Sequence, residues 1–196
     1  MRLGERRLVH RLKARDEGAF REVVKLHQEQ VYNLVYRYLG NHEEAEDLSQ
    51  DVFVTVFKSI DKFRGDSKLS TWIYRIAANQ CKNRYKYLAR RQFHAAKPLD
   101  ELSERDAAGR DGGPVMSLQA QISEPDKMME GKRLEQAIQR EIAALEDEQK
   151  LLVILRDIQG LSYQEMATIT ELPEGTVKSR LHRARRNLKK RLKKYM

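Results

Sequence analysis

The sequence has very little cysteine, and this scarcity excludes several classes of protein. A chain of 196 residues with one cysteine can form neither an internal disulfide nor a metal site built from several thiolates, which fits a reducing compartment. Met1 to Lys13 lacks the apolar run that a signal peptide requires. The sequence also has no run of about 20 apolar residues, so we expect a cytoplasmic protein without membrane insertion.

Signatures of catalysis are missing as well. The sequence shows no Ser/His/Asp arrangement, no phosphate-binding glycine loop and no paired metal-ligand motif, and its five histidines are scattered. We therefore predict a protein that is not an enzyme and that needs no cofactor and no metal. His42, Glu43 and Glu46 could in principle meet a metal, although a solvated first turn of a helix is the simpler interpretation.

Positive charge is abundant, and it is concentrated rather than spread. The chain has a formal net charge of +9 and an isoelectric point near 9.6. Residues 174–196 alone hold ten lysines or arginines and one acid, a net of +9 that equals the charge of the whole chain. A polyanion such as nucleic acid, or an acidic surface, is the expected partner.

A second basic segment, residues 64–91, has eight lysines or arginines and one acid, Asp66. Placed on a helix, the residues after Ser70 separate into two faces. The apolar face carries Ile73, Ala77, Cys81 and Leu88, and the opposite face carries Arg75, Asn79, Lys82 and Lys86, with Trp72 and Asn83 at its edge. We expect the apolar face to pack, with Cys81 as a core thiol, and the basic face to contact a partner.

The loop before this helix, residues 63–68, joins an aromatic ring, Phe63, to Gly65, which permits an unusual backbone turn. Aromatic rings beside a basic groove suit unpaired bases, since each base offers a face for stacking and a phosphate to neutralise. The alternative is that Phe63, Trp72 and Tyr74 are core residues and that the basic stripe is only solvated.

Two helices are predicted before that loop. Asp16 can cap the first, and Gly40 can end it. Asn41 followed by Glu44 indicates the start of a second helix, which runs through Ile60. Its inward face would carry Ala45, Leu48, Val52 and Val56, and its outward face Glu43, Glu46, Asp47, Gln50, Asp51 and Val54. The outward acids either complement the helix dipole or form a surface for a protein partner.

Residues 93–126 hold three of the four prolines and show no sustained helical period, which indicates a flexible or extended linker between two helical domains. Apolar spacing typical of helices returns from Leu134 to Ile158 and stops at Gly160. Ser162 and Glu165 then form a capping box, and Pro173 separates the short helix they start from a strongly basic one. Two helices about a tight turn, the second of them basic, are typical of a helix-turn-helix.

The register of that basic helix predicts which side chains face DNA. Val177, Leu181, Ala184, Leu188 and Leu192 form its apolar stripe. Base edges would be read by the side chains opposite this stripe, Ser179, His182 and Arg186, and by those at its flanks, Lys178 and Arg183. Phosphates would be bound by Arg180, Arg185, Lys189 and Lys190. An amphipathic basic helix on an anionic membrane is the alternative.

Three stretches of the sequence together carry a resemblance to a known family. They are AEDLSQDVFVTVFKSI, FRGDSKLSTWIYRIAANQCKNRY and LSYQEMATITELPEGTVKSRLHRARRNLKKRL. In them the chain resembles bacterial RNA polymerase sigma factors of the extracytoplasmic-function type, which is group IV of the sigma-70 family. Each stretch alone is moderately specific, but their order and combination, over essentially the whole chain, are specific.

The resemblance implies an all-α transcription initiation factor with two small helical domains and a flexible linker. Residues 1–92 would be the region 2-like domain, 93–126 the linker and 127–196 the region 4-like domain with the helix-turn-helix. The implied partners are core RNA polymerase, through its β′ clamp and β flap, promoter DNA, and an anti-sigma factor.

Three sets of site residues also follow from the resemblance. Core polymerase would bind Asp47, Gln50 and Asp51. The minus-ten element and its flipped base would be bound by Phe63, Arg64, Ser67, Trp72, Arg75, Asn79, Lys82 and Asn83. The minus-thirty-five element would be bound by Thr176, Lys178, Ser179, His182, Arg183 and Arg186. The residue type at the position of His182 varies among such factors, so no base preference is implied there.

Two other functions are compatible with parts of the sequence. A free-standing helix-turn-helix regulator would use only the C-terminal half, as a dimer on a palindrome. An RNA-binding or polymerase-associated protein would need the aromatic and basic segment without duplex specificity. Neither accounts for the acidic helix, the Phe63 loop and the helix-turn-helix together.

Overall fold

A computed structural model of the chain describes residues 3–95 and 126–195. Across these ranges it contains eight α-helices and no strand, which confirms the all-α prediction. Residues 96–125, most of the predicted linker, lie outside the described residues. The helices are α1 Leu3–Lys13, α2 Glu17–Leu39, α3 His42–Ser59, α4 Leu69–Ala95, α5 Asp126–Ala143, α6 Asp147–Val153, α7 Tyr163–Thr170 and α8 Glu174–Leu192.

The predicted ends of α2 and the predicted start of α3 are confirmed by their capping hydrogen bonds. The Asp16 carboxylate accepts from the Ala19 N–H at 2.8 Å, and Gly40 ends α2 in the left-handed region with φ 74°. The Asn41 side chain then accepts from the Glu44 N–H at 3.0 Å. Because each cap satisfies a backbone group that the helix itself leaves free, these positions fix where the helices begin and end.

Helices α2, α3 and α4 pack on one another to form the core of the first half. The faces predicted to be apolar are the buried ones, with Val23, Val52 and Ala77 fully enclosed. Cys81 is buried in the same core, and burial raises the pKa of its thiol. The lone cysteine is therefore a packing residue, as its register predicted.

Helices α5 to α8 form the second half around Leu151, Met166, Val177 and Leu181. The predicted capping box is present, since Ser162 accepts from the Glu165 N–H while the Glu165 carboxylate accepts from the Ser162 N–H. Two features were not predicted. Helix α6 continues as a π-helical turn, Ile154–Ile158, and the turn before α8 places Glu171 in the left-handed region with φ 59°.

The two halves pack against each other, chiefly through α4 on α7 and α2 on α5. The Tyr74 hydroxyl donates to the Gln159 side chain at 3.0 Å, and the Gln139 amide donates to the Arg37 carbonyl at 2.9 Å. None of the helices in the described parts of the chain is long and apolar enough to cross a bilayer.

Candidate nucleic-acid interface

The loop between the 3-10 turn Ile60–Lys62 and α4 forms one wall of a surface pocket of about 360 Å³. Phe63 is 2% exposed, and its ring centroid lies 5.3 Å from that of Trp72. Gly65 has φ 84°, a left-handed conformation that glycine adopts without steric cost. The backbone can therefore curve around the pocket while the two aromatic rings support its floor.

The rim of this pocket is polar and mostly basic. Arg64 and Lys62 are exposed, while Ser67 and Arg75 are half-buried. Asp66 is the acid of the rim. A concave site with an aromatic floor and a cationic rim has the chemistry to hold a planar ring that is attached to a phosphate.

The exposed face of α4 continues from the pocket. Asn79 and Asn83 are exposed and Lys82 is half-buried, so amide and ammonium groups point to solvent along one stripe. Trp72 corrects the sequence-based placement, because it is 7% exposed and belongs to the core rather than to the edge of the partner face. Phe63 and Tyr74 are also buried, so the interpretation of these aromatic residues as core residues holds, although Phe63 and Trp72 still line the pocket.

The exposed face of α8 presents the side chains that its register predicted. Lys178, Ser179 and His182 are exposed, as are Arg183 and Arg186, while Thr176 is half-buried at the start of the helix. Lys178 is held in position, since its ammonium donates to Glu174 at 2.6 Å and lies 5.2 Å from the centroid of the Tyr163 ring. The hydrogen bond to Glu174 raises the pKa of Lys178, so this side chain carries its charge at neutral pH.

Two arginines that the sequence suggested for phosphate binding have partners within their own half. Arg180 forms an ion pair with Glu148, and Arg185 forms one with Asp157. The hydrogen bond that Arg185 donates to Asp157 raises the pKa of its guanidinium. In this structure both side chains join α8 to the segment around α6, so a phosphate would have to replace these acids, and the assignment of both arginines to phosphates stays a prediction. Lys189 and Lys190, which had the same assignment, remain exposed.

The acidic face of α3 is exposed in the way that the helical register predicted. Asp47 and Gln50 point to solvent, and Asp51 is exposed although its carboxylate lies 3.8 Å from Arg84. Exposed apolar surface accompanies the acids, since Val54 is 47% and Phe57 36% exposed. This face therefore offers both negative charge and apolar area to a partner.

The His42 ring contacts two tyrosines of α2. Its ring stacks on Tyr36 with centroids 4.2 Å apart, and its Nδ1 lies 2.8 Å from the Tyr32 hydroxyl. No cluster of three potential ligands occurs within residues 3–95 and 126–195.

Helix α7 covers part of the pocket in this structure. Lys68 donates to the Glu165 carboxylate at 2.7 Å, and Arg75 lies 3.9 Å from Glu171. Thr168 of the same helix contributes to the pocket lining. The hydrogen bond from Lys68 lowers the pKa of Glu165. Acids of the helix-turn-helix thus neutralise cations at the pocket, and nucleic acid would have to displace them.

Sequence reasoning missed a buried lysine at the contact between the halves. Lys150 of α6 is fully buried, with its ammonium 4.1 Å from the centroid of the Tyr85 ring and 5.2 Å from that of Tyr38. The nearest counter-ion is Asp147 at 3.7 Å. Burial lowers the pKa of Lys150. No sequence signal marks this site, because a lysine within a helical pattern normally faces solvent.

Two family models match the chain. Sigma-70 region 2 matches residues 23–91, and Sigma-70, region 4 matches residues 135–188. Residues 3–15, with α1, precede both matched ranges.

Curated relatives and a solved structure extend these matches to most of the chain. The chain is 35% identical over 178 residues to the ECF RNA polymerase sigma-E factor of Escherichia coli strain K12, covering 91% of this chain and 88% of that protein. It is 34% identical over 186 residues to the ECF RNA polymerase sigma factor SigW of Bacillus subtilis strain 168, covering 94% and 95%. The structure of the sigma factor RpoE in complex with the anti-sigma factor NepR from Bartonella quintana superposes with a TM-score of 0.63 at 24% identity, covering 89% of this chain and 96% of that one.

Proposed function

We propose a role for each surface of this chain, which belongs to the sigma-70 family, among the sigma factors of the ECF type, and is a transcription initiation factor. The roles are contact with the polymerase and contact with the promoter. Residues 1–92 bind core polymerase and the minus-ten element, and residues 127–196 bind the minus-thirty-five element. Residues 93–126 connect them. A free-standing helix-turn-helix regulator is not favoured, since the family match includes the pocket and the acidic helix.

The pocket at Phe63 is the observation that carries this proposal. Asn79 and Asn83 are exposed about one and two turns beyond Arg75 of its lining, so a strand lying along α4 would pass from a polar stripe into the pocket. Extracting a base from its stack costs a few kcal/mol, and a preformed aromatic floor with a cationic rim offsets that cost. Arg64, Ser67 and Arg75 would hold the adjoining phosphates, with Lys82 on α4.

Helix α8 would enter the major groove of the upstream element. Its exposed N-terminal half carries the side-chain types that read base edges, namely lysine, serine, histidine and arginine. Thr176 lies at the first turn, where a hydroxyl and free backbone N–H groups can contact a phosphate. The site consists of Thr176, Lys178, Ser179, His182, Arg183 and Arg186.

The acidic surface of α3 is the part we assign to core polymerase. Asp47, Gln50 and Asp51 project from one face and are accompanied by the exposed side chains of Val54 and Phe57. Carboxylates around apolar side chains can attract a basic protein partner, and the apolar side chains are buried when it binds. The β′ clamp is the proposed partner of this surface, and the β flap is that of the second half.

Regulation by an anti-sigma factor is part of the proposal. The Bartonella sigma factor that shares this fold was crystallised with an anti-sigma factor, and the packed halves of the present chain leave α3 and its acidic face available. The chain would act in the cytoplasm, where bacterial polymerase meets DNA, and would perform no bond-making chemistry of its own.

The test is transcription by sigma-free core polymerase on a library of promoter-like duplexes. The protein should produce specific transcripts that core enzyme alone does not, and the enriched sequences should define both elements. Asn79→Ala should lower use of the minus-ten element while core binding stays intact, and Asn33→Ala, a half-buried asparagine on α2, is the matched control. If Asn79→Ala abolished core binding instead, the polymerase and DNA surfaces would have to be exchanged.

A further inference from the structure

Helix α1 has no role in the assignments above, yet it contacts the 3-10 turn that leads into the pocket loop. It packs through Val9, 9% exposed, and Leu12, 3% exposed. Two polar side chains, one within α1 and one in the turn after it, reach opposite ends of the loop at residues 61–69.

The first contact satisfies the start of α4. The residue before Leu69 is Lys68, whose ammonium can only donate and cannot cap a helix, and the first turn of α4 contains no acid. The Ser67 hydroxyl does not cap it either, because it donates to the Lys68 carbonyl at 3.3 Å. The Glu5 carboxylate instead accepts from the Leu69 N–H at 2.6 Å. An acid from α1 thus supplies both the acceptor and the negative charge that this helix start lacks.

The second contact holds the other end of the loop. The guanidinium of Arg15 donates to the Phe57 carbonyl and to the Asp61 carboxylate. It also lies over the Phe57 ring, 5.1 Å from the centroid. Asp61 precedes Phe63 by two positions, so this contact fixes the backbone just before the aromatic residue of the pocket.

Arg15 also has a backbone conformation that is unfavourable for arginine. Arg15 has φ 61°, in the left-handed region where glycine is preferred after a helix. An arginine there bears a steric cost that glycine would avoid.

We propose that α1 and its C-terminal turn are a positioning element for the minus-ten pocket, in which Glu5 and Arg15 hold the two ends of the loop. Neither side chain contacts DNA in this assignment, which rests on the proposed function of the pocket. Both act by keeping the loop in its pocket conformation before a base arrives, so that binding does not have to order it.

The variants that test the proposal are Glu5→Ala, Glu5→Gln and Arg15→Gly. The glutamine side chain introduced by Glu5→Gln keeps an oxygen that can accept from the Leu69 N–H, so this variant should retain most of the capping that alanine loses. Glycine at position 15 removes the guanidinium and relieves the backbone, so folding should survive. Glu17→Ala is the control, because it removes an acid of the neighbouring turn whose side chain is 86% exposed.

Two measurements report on these variants. Trp72 is the only tryptophan of the chain and packs on Phe63, so its fluorescence quenching by acrylamide reports the loop without DNA or polymerase. Run-off transcription on a duplex promoter reports the function. Glu5→Ala and Arg15→Gly should increase quenching and lower the transcript yield at limiting protein by about fivefold, the effect of losing one capping acceptor. Glu5→Gln should lie between Glu5→Ala and the parent, and Glu17→Ala should match the parent.

Phe63→Ala separates failure of this inference from failure of the proposed function. If Phe63→Ala lowers transcription but Glu5→Ala and Arg15→Gly do not, the positioning role is wrong and the pocket assignment stands. If those two lower transcription while the quenching of Trp72 stays at the parent value, the role is also wrong, since they would act elsewhere. If Phe63→Ala has no effect, the pocket assignment itself fails, and the quenching data still decide whether α1 holds the loop.

Discussion

Replacing Lys150 by methionine should leave the protein at least as stable as the parent, although the replacement removes a charge that contacts two aromatic rings. The lysine side chain is 1% exposed and its ammonium lies against Tyr85 and Tyr38. Among the described residues, no hydrogen-bond acceptor lies within bonding distance of Nζ. Methionine has a similar unbranched shape and fills the same space without a charge.

The direction of the effect follows from comparing the opposing contributions. Taking an ammonium out of water costs several kcal/mol. Attraction to each ring offsets about 2 kcal/mol of this cost when the cation is desolvated. Attraction to Asp147 offsets less than a buried partner would, because Asp147 is 38% exposed. The pKa of Lys150 is lowered because burial outweighs its attraction to Asp147. We expect Lys150→Met to raise the free energy of unfolding by about 0–2 kcal/mol.

Lys150→Ala should behave differently, and the contrast identifies the cause. It removes the charge but also the three methylenes beyond Cβ, each worth about 0.8 kcal/mol, and leaves a cavity. Urea unfolding followed by circular dichroism should therefore rank methionine above alanine by about 3 kcal/mol. Lys25→Met, which removes an exposed charge on α2, is the control. If Lys150→Met lost as much stability as Lys150→Ala, the attraction of the ammonium to the rings would exceed its burial cost and the reasoning would be refuted.

The same lysine predicts a pH dependence with a definite sign. Its folded pKa lies below the ordinary value of 10.5, so between those two values the unfolded chain binds a proton that the folded chain does not. The free energy of unfolding of the parent should rise with pH in that window relative to Lys150→Met. The raised pKa values of Cys81 and Tyr38 act in the opposite direction at alkaline pH, but both variants contain these groups, so the difference isolates Lys150.

Three further predictions concern single features of the two halves. Glu171→Gly should raise the stability of the helix-turn-helix by about 1 kcal/mol in thermal unfolding, because glycine relieves the strain of the left-handed backbone. The exposed ion pair with Arg75 that is lost contributes little. Lower stability would contradict this prediction. Lys178→Ala with Arg183→Ala should weaken binding to the minus-thirty-five duplex and relax its sequence preference, and an unchanged footprint would contradict the assignment of α8. Cys81 should resist a thiol reagent in the folded protein and react once urea unfolds the chain, since burial raises the pKa of the thiol. Rapid labelling of the native protein would contradict the placement of Cys81 in the core.

The features that depend on neighbouring residues could be predicted from the sequence. Asp16, Gly40 and Asn41 mark helix ends because a cap acts over three or four positions, and the capping box at Ser162 follows the same rule. The exposed half of α8 followed from its apolar stripe, since 3.6 residues per turn place side chains on definite faces. The three surfaces proposed for polymerase and promoter could be named because the family resemblance lies in contiguous stretches of the sequence.

The tertiary structure decided the contacts that join residues far apart in the chain. Glu5 caps α4 across 64 positions, Arg15 reaches Asp61 across 46, and Lys150 enters the first half from the second. Trp72 was predicted at the edge of the partner face, and the ion pairs of Arg180 and Arg185 were not predicted, because the periodicity of one helix says nothing about which other element covers it. The sequence by itself thus determined the helices, their faces and the family, which depend on local spacing. Only the packing of those helices decided which charges are paired, which are buried and which hold the pocket loop, because these depend on distances between elements that no local pattern encodes.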